Sequence, residues 1–436
     1  MKQPHRIVLS AVAGFSFLYA DVAEDINTSR LFHLTGEKEA VTLPFAFSSD
    51  ATGPAGGIAY IRQGLLQPQT TFIGAFFGGS EQDVIVNGTP TTEHFKGAFL
   101  YFNDYRLPGS ERLFLTFLGV KSYFPKSTYY FDGSHDSNPD DAVITPGDTD
   151  FGALTLAYVL PVGEGEHNPE GAYRIKNGFA LNREKSGGGM PFVTGRTSVG
   201  ISFFYQYNSF KNDTALFGLH EWTSNGLRFY LNHDNTDFDI NPSRGYQFEL
   251  KYSRDFGWGD SLQSWDFLAF KYNSYFPLPA FSWTRQNVWA MSLWTGYSFS
   301  WDKDAAQPFP GIDAHRPPMW EGARLGGIFR MRGYDTNRFS DKAVFYVTAE
   351  YRATLTYNPF RDNRYLPVAI DWFQLVPFIE AGRVHNSYNA TLLKDLHIDG
   401  GLSIRMMAAQ VPVRLDVAFS EESTNVWVMA YHPFDF

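Results

Sequence analysis

Residues 344–355 read VFYVTAEYRATL, and the alternation within this stretch decides the fold. One face carries only apolar side chains: Phe345, Val347, Ala349, Tyr351, Ala353 and Leu355. The other face is mostly polar and includes Thr348, Glu350 and Arg352. Because successive side chains of a β-strand point to opposite faces, this period predicts a strand with one apolar and one polar side.

The same period recurs along the chain. It is found in YQFELKYS (246–253), VWAMSLWTGYSF (288–299) and VPVRLDVAF (411–419). These runs are longer than the usual five or six residues of soluble strands, and their apolar faces end in aromatic residues that suit membrane interfaces. We therefore predict an all-β protein, a transmembrane antiparallel β-barrel with a lipid-facing wall and a polar lumen. A soluble sandwich is the alternative.

Composition agrees with a strand-rich chain and excludes several functions. Aromatic residues make up 17% of the 436 residues, whereas charged residues make up only 19%. The net charge of −10, without a basic stripe, argues against a nucleic-acid partner. The chain has no cysteine, which excludes disulfides and thiolate sites. Since no G-x-S-x-G elbow or helical histidine pair occurs, we predict no enzyme activity, no metal and no cofactor.

The N-terminus has the features of a secretory signal peptide. Lys2, His5 and Arg6 precede the apolar run IVLSAVAGFSFLYA (7–20), which is too short to span a membrane as a helix. We predict a signal peptide at 1–20, cleaved after Ala20. A short periplasmic lead at 21–42 and an outer-membrane β-barrel at 43–436 would follow, in a Gram-negative bacterium.

Counting backwards from Phe436 gives about sixteen strands. They are predicted at 43–49, 55–64, 70–79, 93–104, 111–124, 150–161, 195–210, 224–235, 246–255, 264–276, 285–300, 342–356, 372–384, 399–408, 411–420 and 425–436. Residues 162–194 are either a long periplasmic turn or an extra hairpin that would raise the count to eighteen. If both termini are periplasmic, the longest connection, 302–341, is the sixth outer loop.

Four stretches of the second half together resemble one family. RMRGYDTNRFSDKAVFYVTAEYR (330–352) is similar to the loop-to-strand signature of the BamA/TamA-type outer-membrane assembly-factor superfamily, which includes the bacterial surface antigens and the two-partner secretion pores. In chain order, the other matches are DNTDFDINPSRGYQFEL (234–250), PFIEAGRV (377–384) and GGLSIRMMAAQVPVRLDVAF (400–419). The opening LPFAFSSDATGPAGGIAYIRQG (43–64) matches less specifically. The terminal Phe436 also resembles the assembly signal of outer-membrane barrels.

The resemblance implies that the tip Arg332-Gly333-Tyr334 folds back into the lumen. Gly333 would allow a tight backbone turn. The resemblance places the acidic partners of Arg332 in the region of Glu380 and Asp416, which lie on polar strand faces, and Glu350 is a weaker candidate. Removing Arg332 should then leave a barrel with a mobile loop and raised leakiness. The alternative is a solvated arginine in a surface loop.

This chain also departs from the family. The best-known members carry periplasmic polypeptide-transport-associated domains, and residues 21–42 are too few for one. We therefore expect a barrel-only member.

The resemblance implies protein insertion or translocation through a seam between the first and last strands. Pro44, in the short strand PFAFSS (44–49), would weaken that seam because it lacks an N–H group. On the other side of the seam would lie the last strand, with Phe434, Phe436 and the interrupting Pro433. Expected partners are outer-membrane lipid and lipopolysaccharide, with unfolded outer-membrane proteins or a separate periplasmic protein. A passive plugged pore and a structural surface-antigen barrel are the alternatives.

Overall fold

A computed structural model describes most of the chain from Ala40 onward. The described residues are 40–49, 51–171, 174–181, 186–212, 218–360, 370–408, 411–430 and 433–434. The predicted signal peptide, nearly all of the periplasmic lead, and Phe436 lie outside these residues.

Sixteen strands form a single antiparallel sheet in which each strand pairs with the next one along the chain. They are β1 (Ala40–Ser49), β2 (Gly53–Gln63), β3 (Thr71–Val86), β4 (Thr89–Arg106), β5 (Leu113–Tyr129), β6 (Val143–Val159), β9 (Arg196–Ser209), β10 (Glu221–Thr236), β11 (Gly245–Asp255), β12 (Trp265–Leu278), β13 (Thr284–Tyr297), β16 (Ala343–Leu355), β17 (Ile370–His385), β18 (His397–Ala408), β19 (Val411–Phe419) and β20 (Thr424–Ala430). The prediction of an all-β barrel with sixteen antiparallel strands is confirmed.

Two small hairpins lie outside the barrel sheet. One pairs β7 (Arg174–Lys176) with β8 (Phe179–Leu181), and the other pairs β14 (Ala323–Leu325) with β15 (Phe339–Asp341). The first occupies the region that the sequence left open, so it adds a hairpin without raising the barrel count. The described helices are single 3-10 turns at Pro139–Asp141, Gly163–Glu166 and Ala390–Leu393. Within the described residues, no helix has the length and apolarity required to cross a membrane.

Strands β3 to β6 extend further at their outer ends than predicted, whereas β9 lies within its predicted bounds. β3 runs to Val86 and β4 begins at Thr89, joined by a two-residue turn. Asn87 and Gly88 both have positive φ, as a tight hairpin turn of this kind requires. The added residues are mostly polar, so the alternation that marks a lipid-facing strand does not reach them.

The distribution of polar and apolar side chains is the reverse of that in a soluble protein. Glu350, Arg352 and Arg414 are buried, whereas Phe76 on the wall is 75% exposed. Every residue of the predicted polar face of β16 is buried, while the apolar face is partly exposed except at Ala353. This distribution is that of a wall facing lipid around a polar lumen. We call the end where β1 begins and β20 ends the periplasmic end, since the longest loop lies at the other end.

The first and last strands differ from prediction. β20 spans Thr424–Ala430, and Pro433 and Phe434 lie outside it, so the predicted strand 425–436 is wrong at these two residues. Residues 431–432 and 435–436 lie outside the described residues. Pro433 cannot donate a ladder hydrogen bond, and Phe434 is fully buried inside the barrel, where its carbonyl accepts from Asn273 Nδ2 at 3.1 Å. β1 is ten residues long, not the short strand predicted from PFAFSS. Among the described strands, no pairing joins β1 to β20.

Candidate functional site

The long outer loop between β13 and β16 folds into the lumen. Every residue from Arg316 to Tyr334 is buried, and β14 and β15 bracket the innermost part. Gly326 and Gly327 have φ of 106° and 111°, and Met331 has φ of 55°. These left-handed positions, which glycine adopts readily, let the backbone reverse within a crowded lumen.

Arg332 lies at the centre of the three carboxylates named from the sequence. Its Nη1 donates to Asp416 Oδ2 at 3.1 Å, and its Nη2 donates to Glu350 Oε1 at 3.3 Å. Its Nε is 3.2 Å from Glu380 Oε1, and its backbone N–H donates to Glu380 Oε2 at 2.6 Å. All four side chains are fully buried, so their charges are compensated away from water.

The carboxylates are shared with other buried groups that the sequence reasoning did not single out. Glu350 also accepts from Arg352 Nε at 2.9 Å and from Arg405 Nη2 at 2.6 Å, and Asp416 is paired with Arg414. Tyr346 donates to Glu380 at 2.5 Å, and the guanidinium of Arg332 lies 3.4 Å from the ring centroid of Phe378. The tip is therefore held in an extended network of ion pairs, hydrogen bonds and a cation–π contact.

Gly333 lies in a tight turn, and the space around it excludes a side chain. The Tyr334 N–H donates to the carbonyl of Met331 at 2.9 Å, and the φ of Gly333 is not positive. A Cβ at this position would lie 2.7 Å from Asp399 Cβ and 2.9 Å from the carbonyl carbon of Phe419. Its N–H donates to Asp399 Oδ2 at 3.0 Å. Tyr334 is fully buried, with its ring 5.2 Å from that of Phe339.

The tip also reaches the last hairpin of the barrel. Trp427 Nε1, on β20, donates to the carbonyl of Arg332 at 2.8 Å. Ser420 and Ser423, in the turn before β20, both donate to the carbonyl of Gly333, at 2.7 and 2.6 Å. One loop tip thus contacts β16 through β20, which include one side of the seam.

The residues predicted as seam strands lie in different places. Pro44 is in the middle of β1, opposite Ile58 of β2. Phe434 is outside the sheet, with its ring 4.8 Å from the guanidinium carbon of Arg352 and 6.3 Å from the ring of Tyr275 on β12. Phe434 therefore lies inside the barrel, against Arg352 of β16 and Tyr275 of β12.

The strand alternation would have indicated most of the missed residues. Arg352, Arg405 and Arg414 occupy inward positions two residues from Glu350, Ser403 and Asp416, respectively. Their face was readable from the sequence, but not which of them the tip contacts. Asp399 and Trp427 share faces with Ser403 and Met429, respectively, so their inward positions were equally readable, but not their contacts with the tip. Among the described residues, no group of three or more His, Cys, Asp or Glu is arranged to hold a metal. The tip Arg332-Gly333-Tyr334 is thus fixed to the barrel wall by buried ion pairs, and we call this arrangement the latch.

Three solved structures are similar to this chain, and the one with a TM-score above 0.5 supports a shared fold. CdiB from Escherichia coli is 12% identical, with a TM-score of 0.52, over 91% of this chain and 62% of that one. BamA from Haemophilus ducreyi lacking POTRA domains 1-3 is 10% identical, with a TM-score of 0.48, over 91% and 70%. CdiB from Acinetobacter baumannii is 11% identical, with a TM-score of 0.44, over 91% and 60%. This chain therefore spans 60% to 70% of their lengths.

A search of curated proteins found no match. The model of the Omp85 superfamily domain, in contrast, matches residues 164–426, and this range includes the loop tip and all of its acidic partners. A barrel of this family is an integral protein of the outer membrane. Because the match extends over more than half of the 436 residues, the protein belongs to the Omp85 superfamily.

Proposed function

We propose that the protein inserts or translocates polypeptides at the outer membrane, and that it does so at the seam between β1 and β20. Family membership supports the general role. The sheet order is the observation that carries the specific one, because β1 and β20 are its two end strands among the described residues. The role is that of a binding and folding surface and requires no catalytic residue.

The edges of the seam suit an extended client segment. A strand at the end of a sheet can offer N–H and C=O groups to an incoming strand, either directly or after a weak pairing opens. β20 has seven residues, and the chain beyond it leaves the sheet at Pro433 and Phe434. The client strand would pair with β1 or β20, and the seam would widen as it enters.

The loop tip would set the resting state of this seam. It contacts β20 through the Trp427 hydrogen bond and contacts β16, β17 and β19 through the carboxylate partners of Arg332. A latch on one side of the seam can hold the last strands in position while β1 moves relative to them. Unfolded outer-membrane proteins are the proposed clients, and a separate periplasmic protein would deliver them.

A passive plugged pore is the second candidate, and the buried loop favours it. Residues Arg316 to Tyr334 fill part of the lumen, as a plug that limits leakage would. This candidate predicts that a closed seam leaves function unchanged. A purely structural surface barrel predicts neither client folding nor conductance.

A reversible lock on the seam separates these candidates. The chain has no cysteine, so Ala46→Cys and Val426→Cys would introduce its only thiols, both on outward strand positions. The protein is reconstituted in phospholipid liposomes, and the folding rate of a denatured eight-stranded barrel is measured with and without a reducible bifunctional thiol reagent. We expect folding faster than in empty liposomes, loss of that acceleration on cross-linking, and recovery on reduction.

Each single-cysteine variant, treated in the same way, controls for modification without a bridge. Equal acceleration by locked and reduced protein would contradict a seam mechanism. If the reduced protein and a sample supplemented with periplasmic extract both fail to accelerate folding, the plugged pore is the better assignment.

A further inference from the structure

The connection between β6 and β9 returns to the barrel along the outside of its wall. Residues 188–191 line a groove of about 770 Å³ together with Tyr246, Phe248, Phe270 and Tyr272 of β11 and β12. The aromatic side chains are on the outward, lipid-facing positions of these two strands, since the alternate positions Glu249 and Asn273 are buried. Phe192 extends the contact to β10, where its ring lies 5.6 Å from His233.

The backbone of this segment is paired as a membrane environment requires. Val193 and Thr194 donate to the carbonyl of Met190 at 3.2 and 3.1 Å, forming a tight turn. The carbonyl of Gly189 accepts from Asn235 Nδ2 and from Tyr246 Oη, each at 3.0 Å. Irregular backbone is costly in lipid because its polar groups lack water, and these partners reduce that cost.

The side chains at the turn are apolar and exposed. Met190 is 73% exposed, Phe192 is 47% exposed and Val193 is 69% exposed, and the segment 187–194 has no charged residue. A cluster of this kind is unfavourable in water but suits the boundary between lipid headgroups and acyl chains. The segment lies beside Tyr246 and Tyr272, and tyrosines mark the interface of barrel walls.

We propose that residues 187–194 form a membrane foot in the periplasmic leaflet, and that the groove beneath it binds an acyl chain of a phospholipid. The occupant follows from continuity, because the groove is part of the wall that faces lipid and opens toward it. The foot also ties the hairpin β7–β8 to the membrane, since both belong to the same connection. This inference depends on the barrel's place in the membrane and not on the proposed seam activity.

Fluorescence quenching by labelled lipid tests the proposal in the cysteine-free chain. Met190→Cys reports on the groove and Val193→Cys on the outer side of the turn, each labelled with an environment-sensitive probe. The full protein is reconstituted in phosphatidylcholine liposomes that carry a nitroxide in the middle of the acyl chain. Glu166→Cys, an exposed position in the same connection, is the aqueous control, and Met291→Cys on the wall is the lipid control.

We expect both foot probes to be quenched by the acyl nitroxide several-fold more than the Glu166 probe and nearly as much as the Met291 probe. Quenching at Val193 without quenching at Met190 would overturn the acyl-chain groove. Iodide, added to the aqueous phase, serves as a second quencher. If both foot probes are quenched by iodide and not by the nitroxide, as at Glu166, the segment does not enter the membrane. Heat-dependent gel migration verifies that each variant is a folded barrel.

Discussion

At the residue scale, the balance of charge around Arg332 determines what the loop can do. Three carboxylates surround one guanidinium, and each of them except Glu380 also pairs with another arginine. Such a network is stable only when every member is present, because an isolated buried charge is far more costly than a solvated one. The loop should therefore be either fully docked or fully released.

Arg332→Ala tests this property. We expect the free energy of unfolding to fall by about 3–5 kcal/mol, because three carboxylates lose a buried partner. We also expect proteases to cleave the loop 298–342, which is buried over much of its length in the native protein. Urea denaturation in liposomes and limited proteolysis measure the two effects.

Arg254→Ala is the matched control for that experiment. Arg254 forms an ion pair with Asp266 at 3.3 Å, but its side chain is 33% exposed, so its loss should cost only about 0–1 kcal/mol. If both arginine variants have the same stability and the same cleavage pattern, Arg332 does not hold the loop.

A second residue-scale effect depends on pH. His135, in the outer loop between β5 and β6, has a pKa lowered from 6.5 to about 4, first by burial and then by the positive charges of His397 and Arg383, although Asp136 opposes the shift. Its ring is 4.1 Å from that of His397, and its carbonyl is 2.9 Å from His397 Nε2. His397 in turn faces Glu421 at 3.1 Å, and Phe339 packs on both rings.

The sign follows from the lowered pKa. The neutral imidazole is favoured in the folded loop, so its contribution to stability is complete above the ordinary value of 6.5 and is lost as pH falls toward about 4. We expect an acid-active protease to cleave residues 130–142 faster as the pH falls from 6.5 toward about 4. His135→Gln should flatten the dependence, and an unchanged profile in that variant would assign it to other groups.

Sequence reasoning found the acidic partners because alternation identifies the inward face of a strand, and the family resemblance identified the loop. It could not show which inward arginines lie near the loop tip, because that depends on their depth along the barrel axis. It placed Gly333 in a tight turn but could not reveal the close approach of Asp399 and Phe419, which leaves no room for a side chain. That contact joins residues far apart in sequence.

At the element scale, the prediction succeeded where one strand face meets lipid and failed where it does not. The outer part of β3 and β4 is mostly polar and lacks the alternation of a lipid-facing strand, so their full length was missed. β7 and β8 have three residues each, which is too short for a periodic signal. The end of β20 was missed because the alternation around Phe434 continues after the chain has left the sheet.

The hairpin β7–β8 has a clear structural task. It crosses the periplasmic end of the lumen from β6 to the far wall, where Trp372 Nε1 donates to the carbonyl of Gly178 at 2.9 Å. Phe179 and Ala180 pack there with Trp372 and Met407, whose side chains point inward. Phe238 and Ile240, from the turn between β10 and β11, complete this cluster.

Gly178→Ala should displace the hairpin. Gly178 has φ of 71°, and a Cβ would lie 2.7 Å from Trp372 Nε1 and 2.8 Å from Asp371 Cβ. We expect a thiol at Met407→Cys, buried beneath the hairpin, to react several-fold faster with a water-soluble maleimide. Gly88→Ala is the control, because Gly88 shares the left-handed backbone with φ of 79° but has open space around it. Equal labelling of Met407→Cys in the Gly178→Ala and Gly88→Ala proteins would mean that the hairpin does not cover the periplasmic end of the lumen.

At the scale of the whole molecule, the lumen is obstructed at two levels. The loop tip and its ion pairs occupy the region beside β16 to β20, and the hairpin cluster lies at the periplasmic end. Phe434 adds a third element inside the barrel, against β12 and Arg352. An ion that crosses the barrel must pass both levels in turn, so their resistances add in series. A single open level then leaves the other one limiting the current.

This arrangement changes the expectation that Arg332→Ala alone makes the barrel leaky. We predict that Arg332→Ala and Gly178→Ala each leave the conductance in planar bilayers near the native value. The double variant should conduct more than the sum of the two single variants, because both resistances fall together. Arg332→Ala combined with Gly88→Ala controls for a second glycine substitution and should stay closed. If Arg332→Ala alone conducts as well as the double variant, the loop is the barrier to ions and the periplasmic hairpin leaves an open path.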